Sequence, residues 1–292
     1  MDRSEQTIDL AIYELDLDSV VDSLARAAHR GVRVRMVIES DLVGSPKPRI
    51  KAELEQLRSA GIVMVADRPD HTMHDKFLVA DGRWVETGSW NYTFSETYRN
   101  NNDVIVIDSR ELAMNYTAEF EKMFVQRQFG GAKATGIPFP SLVLAGARVE
   151  NYFAPEDRPA NRVIAWIGTA RQTIHFLAFA FTHDAIGDAM LERFHSGVEV
   201  GGVFEAADAR NRFSEYARLK VAGTNVLLDG NPWNLHHKVI VIDGHVTVFG
   251  SFNFSNNADR ANDENLLIID DRGLAAAFEG EYQRLRSEAQ RT

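Results

Sequence analysis

The chain has 292 residues, 45% hydrophobic and 25% charged, with no cysteine and a formal net charge of −10 at pH 7. This composition suffices for a sizeable core in one or two domains and excludes disulfides and thiol chemistry. The acid excess is shared between the halves, 17 Lys and Arg against 22 Asp and Glu up to Gly146 and 15 against 20 beyond it. That argues against a broad basic face for duplex DNA while leaving room for a local basic groove. No apolar run is long enough to span a bilayer, and the opening "MDRSEQTIDL" lacks the apolar core of a secretion signal. As written, the sequence reads as a cytoplasmic monomer; a segment preceding it would leave secretion or membrane association open.

In chain order, "TIDLAIYEL" is a strand-like apolar run, and "SVVDSLARAAHRG" spaces its apolar residues as a helix and ends in glycine. "VRVRMVI" returns as a strand. After "AGIVMVAD" comes His74–Asn91, "HDKFLVADGRWVETGSWN", then the strand "DVIVID" and a closing helix. "FGGAKATGIPFP", Phe129 to Pro140, is rich in Gly and Pro and reads as a connection. The elements then recur: "TIHFLAFAF", "AIGDAMLERFHSG", "VEVGGVF", "AGTNVLLD", "HHKVIVIDGHVTVFGSFN" from His236, "NLLIID" and a final helix. Strands alternating with helices predict an α/β protein with mixed, parallel-rich sheets flanked by helices.

The recurrence is a duplication. Early elements match at an offset of 166, later ones at 162, and from His74/His236 to Thr93/Ser255 eight of 20 positions are identical. The expected organisation is a first lobe over 1–128, a connection over 129–146 and a second lobe over 147–292. The second half opens with "VENYFAPEDRPANRVIAWIGTAR", a strand and an apolar-periodic helix, where the first has only "MDRSE". About 20 residues thus lack a counterpart, and the first lobe is expected to lack its first strand and helix.

The repeated polar set is His74, Lys76, Asp81, Ser89 and Asn91 in one half and His236, Lys238, Asp243, Ser251 and Asn253 in the other. His and Lys two apart on an extended strand face one side. Two of each suit a phosphodiester. Lys ammonium and Asn amide groups can donate to phosphate oxygens and stabilise a pentacoordinate transition state. One imidazole can attack phosphorus to give a phosphohistidine, while the other protonates the leaving oxygen and later deprotonates water. Neither copy holds all the parts, so the halves are expected to meet at one shared site, with no metal or other cofactor required.

The doubled H-x-K-x4-D followed by G-S-x-N resembles the phospholipase D superfamily, in its nuclease-like and cardiolipin-hydrolase-like branch. The resemblance covers nearly the whole chain. It implies a two-lobed α/β fold with its site at the lobe interface, a phosphohistidine and metal-independent catalysis. It gives Asp81 and Asp243 orienting or structural roles. It also implies a carboxylate about 30 residues after the motif His to support an imidazole. Glu264 holds that position in the second half and Asn102 in the first, with Asp103 as the alternative after a one-residue slip. Since Asn cannot stabilise an imidazolium as Glu can, the two histidines are expected to differ in basicity.

His71 and His237 suggest metal ligands only weakly, for lack of further ligands nearby; a solvated His71 and a partnered His237 are the simpler expectation. Neither a serine elbow nor a Walker loop occurs. The acidic balance favours a phospholipid or another small phosphodiester as substrate, with DNA or RNA as the alternative; intact motifs argue against an inactive phosphate-binding scaffold. "RPDHTM" and "NPWNL" are expected to flank the cleft. Trp233 and Leu235 are candidates to touch substrate, and Trp90 and Phe252 are assigned to core packing.

Overall fold

The structure, a computed structural model, describes residues 1–291. The first half runs β1 (Thr7–Ile12), α1 (Asp18–His29), β2 (Arg33–Ile38), α2 (Ser40–Val43), α3 (Pro48–Ser59), β3 (Val63–Ala66), β4 (Lys76–Ala80), β5 (Trp84–Gly88), α4 (Phe94–Tyr98), β6 (Val104–Asp108) and α5 (Arg110–Phe124). The second adds β7 (Ser141–Leu144), β8 (Ala147–Ala154) and α6 (Pro159–Ile167). It then repeats the first as β9 (Thr173–Ala178), α7 (Asp184–His195), β10 (Glu199–Phe204), α8 (Tyr216–Ala222), β11 (Asn225–Leu228), β12 (Lys238–Ile242), β13 (Val246–Gly250), α9 (Asn256–Arg260), β14 (Glu264–Asp270) and α10 (Arg272–Ala289).

Two sheets result, ordered β3-β2-β1-β4-β5-β6 and β11-β10-β9-β12-β13-β14-β8-β7, so the first six strands correspond one to one. Strands β1 to β3, and likewise β9 to β11, pair in parallel; every other pairing is antiparallel. The sheets are mixed as expected, but they are not parallel-rich. The cause is local. Each motif strand is followed by a tight hairpin rather than a helix, and a three-residue connection can only return the chain antiparallel. The segment read as a connection also contains β7, which pairs with β8 and so forms the edge of the second sheet.

The motif strands explain their own apolar runs. In β4, Phe77 and Val79 point to the core between the sheets, where Tyr116 and Phe120 of α5 and Phe278 and Tyr282 of α10 pack. Leu78 and Ala80 point the other way, against α1 and α3. In β12, Val239 and Val241 face the shared core, and Ile240 and Ile242 face α6 and α7. Burial on both faces removes the polar alternation of a half-exposed strand. It also makes the inter-sheet core common to the two lobes, which holds one motif against the other.

The halves differ beyond their six matched strands. β14 is covered at its edge by β8, and α6 packs on the sheet's outer face. In the first lobe β6 is an edge strand, with Val106 59% exposed, and Leu78, Trp84 and Val106 line an open cavity of about 330 Å³.

A candidate active site shared by two lobes

Each histidine is presented by a short bridge to the opposite lobe. His74 N–H donates to the carbonyl of Asp263 (3.0 Å), and His236 N–H donates to that of Asn101 (2.8 Å). The side chains cross in the same way. His74 Nδ1 lies 2.8 Å from Glu264 Oε2, and His236 Nδ1 lies 2.9 Å from Asn102 Oδ1. Lys76 Nζ donates to the His74 carbonyl (2.7 Å) and Lys238 Nζ to the His236 carbonyl (2.9 Å). Each ammonium keeps two further N–H groups for a ligand. The rings of Tyr13 and Phe179, which match at the offset of 166, lie edge-on to His74 and His236 and within about 5 Å of Lys76 and Lys238 respectively.

The G-S-x-N segments finish the frame. Gly88 and Gly250 sit at φ +155° and +148°, and a Cβ there would come within 2.3 and 2.4 Å of the Asp103 and Asn265 carbonyls. Only glycine lets the chain pass so close to the neighbouring strand. Ser251 Oγ then donates to Glu264 Oε2 (2.7 Å) and Ser89 Oγ to Asn102 Oδ1 (3.0 Å), so the serines orient the partners of the histidines. Asn91 and Asn253 are different. Their side chains make no hydrogen bond among the described residues, and Oδ1 of each is buried without a partner, which leaves the amide nitrogens uncommitted.

Burial shapes the charges. It drives His74 well below the usual imidazole range and His236 down to about 3, with Lys76 and Lys238 adding to the effect. Both imidazoles are therefore neutral in the free site, and Nδ1, set against a carboxyl or amide oxygen, is the nitrogen placed to carry the proton. The lysines feel the same environment. Burial lowers Lys76 to about 8, and burial together with the Lys76 charge lowers Lys238 to about 7. Burial raises Glu264 to about 7 against the pull of Lys76, so the His74–Glu264 contact is a hydrogen bond within a neutral-imidazole pair rather than a fixed ion pair. A monoanionic phosphodiester entering between two such lysines restores their protonation as it binds.

The family model described as "Cardiolipin synthase, PLD-like domain" matches twice, over residues 1–124 and 163–286. The chain belongs to this family. It is 28% identical over 185 residues to a mitochondrial cardiolipin hydrolase of Chlamydomonas reinhardtii, covering 55% of this chain and 83% of that protein. It is 31% identical over 135 residues to a phospholipase D of Rickettsia bellii, covering 46% and 67%. Among solved structures, phosphatidylserine synthase of Haemophilus influenzae superposes over 98% of this chain and 82% of its own, with a TM-score of 0.74 at 11% identity, which speaks for the two-lobed fold alone. The chain is accordingly a phosphodiesterase-type hydrolase of the phospholipase D superfamily.

Two of the motif residues stand apart from the PLD-like site. Asp81 and Asp243 lie at the far end of β4 and β12, about 16 Å of extended chain from the lysines. Each opens an Asp-Gly turn with positive φ at both residues (+54° and +57°, +50° and +63°), a left-handed backbone that asparagine, aspartate and glycine tolerate best. The Asp81 carboxylate accepts the N–H groups of Glu5, Gln6 and Thr7; that of Asp243 accepts those of Arg171, Gln172 and Thr173. Although burial raises both carboxyls, these backbone donors outweigh it and hold them below the ordinary range. The aspartates anchor the entry to β1 and β9, at the opposite end of their strands from the lysines. Asp81→Ala should cost about 1–2 kcal/mol, the value for charged acceptors reduced by partial solvent access, and lower the melting temperature by a few degrees. Its kcat per folded molecule should stay within about twofold; a loss of kcat like that of a histidine variant would place Asp81 in the chemistry after all.

The remaining expectations divide. Leu235 and Phe252 are buried in the core, Trp90 is half-buried with its indole N–H on Thr97, and Trp233 is 52% exposed. Asp103 binds His237 Nδ1 (2.8 Å) and does not reach His236, so the one-residue slip does not occur. His71 is half-buried against Arg68 rather than solvated. The sequence reading missed Tyr13 and Phe179, and Glu39 and Glu205, which accept the N–H of Met73 and Leu235 just before each histidine (2.8 Å in both). These pairs match at the offset of 166, so the repeat itself carried the signal. It also missed Glu96, whose Oε2 is 3.1 Å from His236 Nδ1. Asn102 is thus not the sole partner of His236, and the expected inequality between the histidines loses its premise.

Proposed function

We propose that this chain cleaves a phospholipid phosphodiester in two metal-free steps through a phosphohistidine, releasing the head-group alcohol. The observation that carries the chemistry is two buried imidazoles, each held through Nδ1 by a side chain of the opposite lobe and each followed by a lysine that donates to its carbonyl. In the first step His74 Nε2 forms a bond to phosphorus and the P–O bond to the alcohol breaks. The departing oxygen takes the proton of the His236 imidazolium, a form favoured once the bound anion offsets Lys76 and Lys238. In the second step His236 accepts a proton from water, the hydroxyl oxygen attacks phosphorus, and the P–N bond to His74 breaks. An alcohol replacing water gives transfer. Lys76, Lys238, Asn91 and Asn253 hold the equatorial oxygens throughout.

The rim supports a lipid substrate. Exposed Phe94 of α4 and Trp233 flank the Arg99 guanidinium, which lies 4.3 Å from the Trp233 ring and 5.3 Å from that of Phe94, and exposed Tyr98 packs on Phe94 (5.0 Å). Aromatic rings around one cation suit the boundary between head groups and acyl chains. A cavity of about 360 Å³ beside Tyr13 is lined by Glu14, Asp16, Glu39 and Asp41 against the cation Lys47, an acidic balance that disfavours the flanking phosphates of a nucleic acid. Among the described residues no helix is long and apolar enough to cross a membrane.

The test pairs alcohol release from phosphatidylglycerol or cardiolipin vesicles with relaxation of supercoiled plasmid, both in excess EDTA. Vesicle cleavage is expected, unchanged by the chelator within about twofold, because ammonium and amide donors replace the divalent ion. Plasmid relaxation without vesicle cleavage would replace the lipid by a nucleic acid. Loss of activity in EDTA, restored by one divalent metal, would end the metal-free mechanism.

A further inference from the structure

The second lobe supplies its carboxylate from strand β14, as Glu264, and at the matched place on the first lobe stands Asn102. Six residues earlier the relation is inverted. Glu96 on α4 corresponds, at the offset of 162, to Ala258 on α9. The pairs are therefore Glu96/Asn102 in one lobe and Ala258/Glu264 in the other.

Local geometry delivers Glu96 to the site. Thr93 caps α4 by accepting the Glu96 N–H (3.2 Å), as Ser255 caps α9 through Ala258 (3.2 Å). This turns the third residue of each helix inward, and both are buried. Where Ala258 contributes only a methyl group, Glu96 reaches His236 Nδ1 at 3.1 Å. Asn102 fills the gap: its Nδ2 donates to Glu96 Oε2, its Oδ1 accepts from Ser89 Oγ (3.0 Å), and Oδ1 lies 2.9 Å from His236 Nδ1. Ser89 below and Glu96 above thus fix the amide with its oxygen toward the imidazole.

We infer that Glu96 is the positioning carboxylate of His236, moved from the β6 start to helix α4, with Asn102 as the spacer that steers it. This inference rests on the two-histidine mechanism proposed above. Under it each lobe gives a carboxyl group to the histidine of the other, and both imidazoles have one on Nδ1. Glu96 is fit for that role: burial raises its carboxyl, but the contacts with His236, Asn102 and Lys238 prevail and bring it to about 2. It stays ionised and stabilises the imidazolium that His236 becomes when it takes a proton.

The experiment transplants the second lobe's arrangement into the first. Glu96→Gln, Glu96→Ala and the double variant Glu96→Ala/Asn102→Glu are compared with wild type on bis(p-nitrophenyl) phosphate and by proton NMR. NMR follows the downfield Nδ1–H signal of His236, assigned by its absence from His236→Gln. Glu96→Gln and Glu96→Ala should lower kcat about 10- to 100-fold with KM moved less than about threefold, and shift the signal upfield. The double variant, which restores a carboxylate from the strand, should regain at least about tenfold over Glu96→Ala and return the signal downfield. An unchanged His236 signal in Glu96→Gln would overturn the inference whatever the rates do, and so would a folded double variant no better than Glu96→Ala. If no variant or wild type turns over the diester, the mechanism fails while the NMR result still decides the partner of His236.

Discussion

Replacing either histidine by alanine is expected to lower kcat by roughly three to four orders of magnitude, and the two variants should fail at different points. His74→Ala removes the nucleophile, so no covalent species should form with any substrate. His236→Ala keeps the nucleophile and loses the proton donor and acceptor. With bis(p-nitrophenyl) phosphate, whose leaving group needs little protonation, this variant should still release a first nitrophenolate. It should then stall as phospho-His74, because nothing remains to deprotonate water, giving a burst of about one equivalent per site. A quench in alkali preserves the P–N bond for mapping. The label should lie on the peptide containing "HTMHDK"; a label on "NLHHK" in His74→Ala would reverse the assignment and keep the shared site. Full turnover in both variants would dissolve the site altogether. Both imidazoles are nearly inaccessible, so melting curves must accompany the rates.

The second large effect belongs to the lysines. Lys76→Ala and Lys238→Ala should each reduce kcat/KM about 10²- to 10³-fold, as expected for removing one preorganised donor from a developing anion. Arginine should not rescue either, since a planar fork does not fit a pocket that leaves Lys238 only 1% exposed. The pH dependence follows from Lys238 at about 7 and Lys76 at about 8, both lowered chiefly by burial. An anion binds the ammonium forms, so binding is strongest below 7 and weakens as pH rises through 7 and then 8. Sulfate, which does not titrate in this range, should inhibit with a Ki that climbs along that course. A Ki that stays flat between about pH 6 and pH 9 would mean that the lysines do not hold the anion.

Each aspartate of H-x-K-x4-D has a physical account that the sequence already contained. Asp-Gly between two apolar runs is a strong local signal for a hairpin, and Asp81-Gly82 and Asp243-Gly244 sit in the turns of two hairpins. Their distance from the histidines follows from strand rise alone: five extended residues carry the chain to the other end of the sheet.

The sequence by itself determined the duplication, the strand-helix order, the six-strand correspondence and the His-Lys pairs. All of these are local or periodic properties, and an offset of 166 or 162 states them fully. Which residues face one another was decided only by the tertiary structure. His74 meets Glu264 across 190 positions, and His236 meets Asn102 across 134. These pairings exist because α5 and α10 pack into one core between the sheets and turn the lobes toward each other. Glu96 shows the limit most plainly. An offset aligns it with Ala258 and marks it as a difference without function, since a repeat reports equivalence between positions and not proximity. A six-residue path from α4 to β6 can deliver a carboxylate to the same imidazole from either end, and only packing in three dimensions selects the one that arrives.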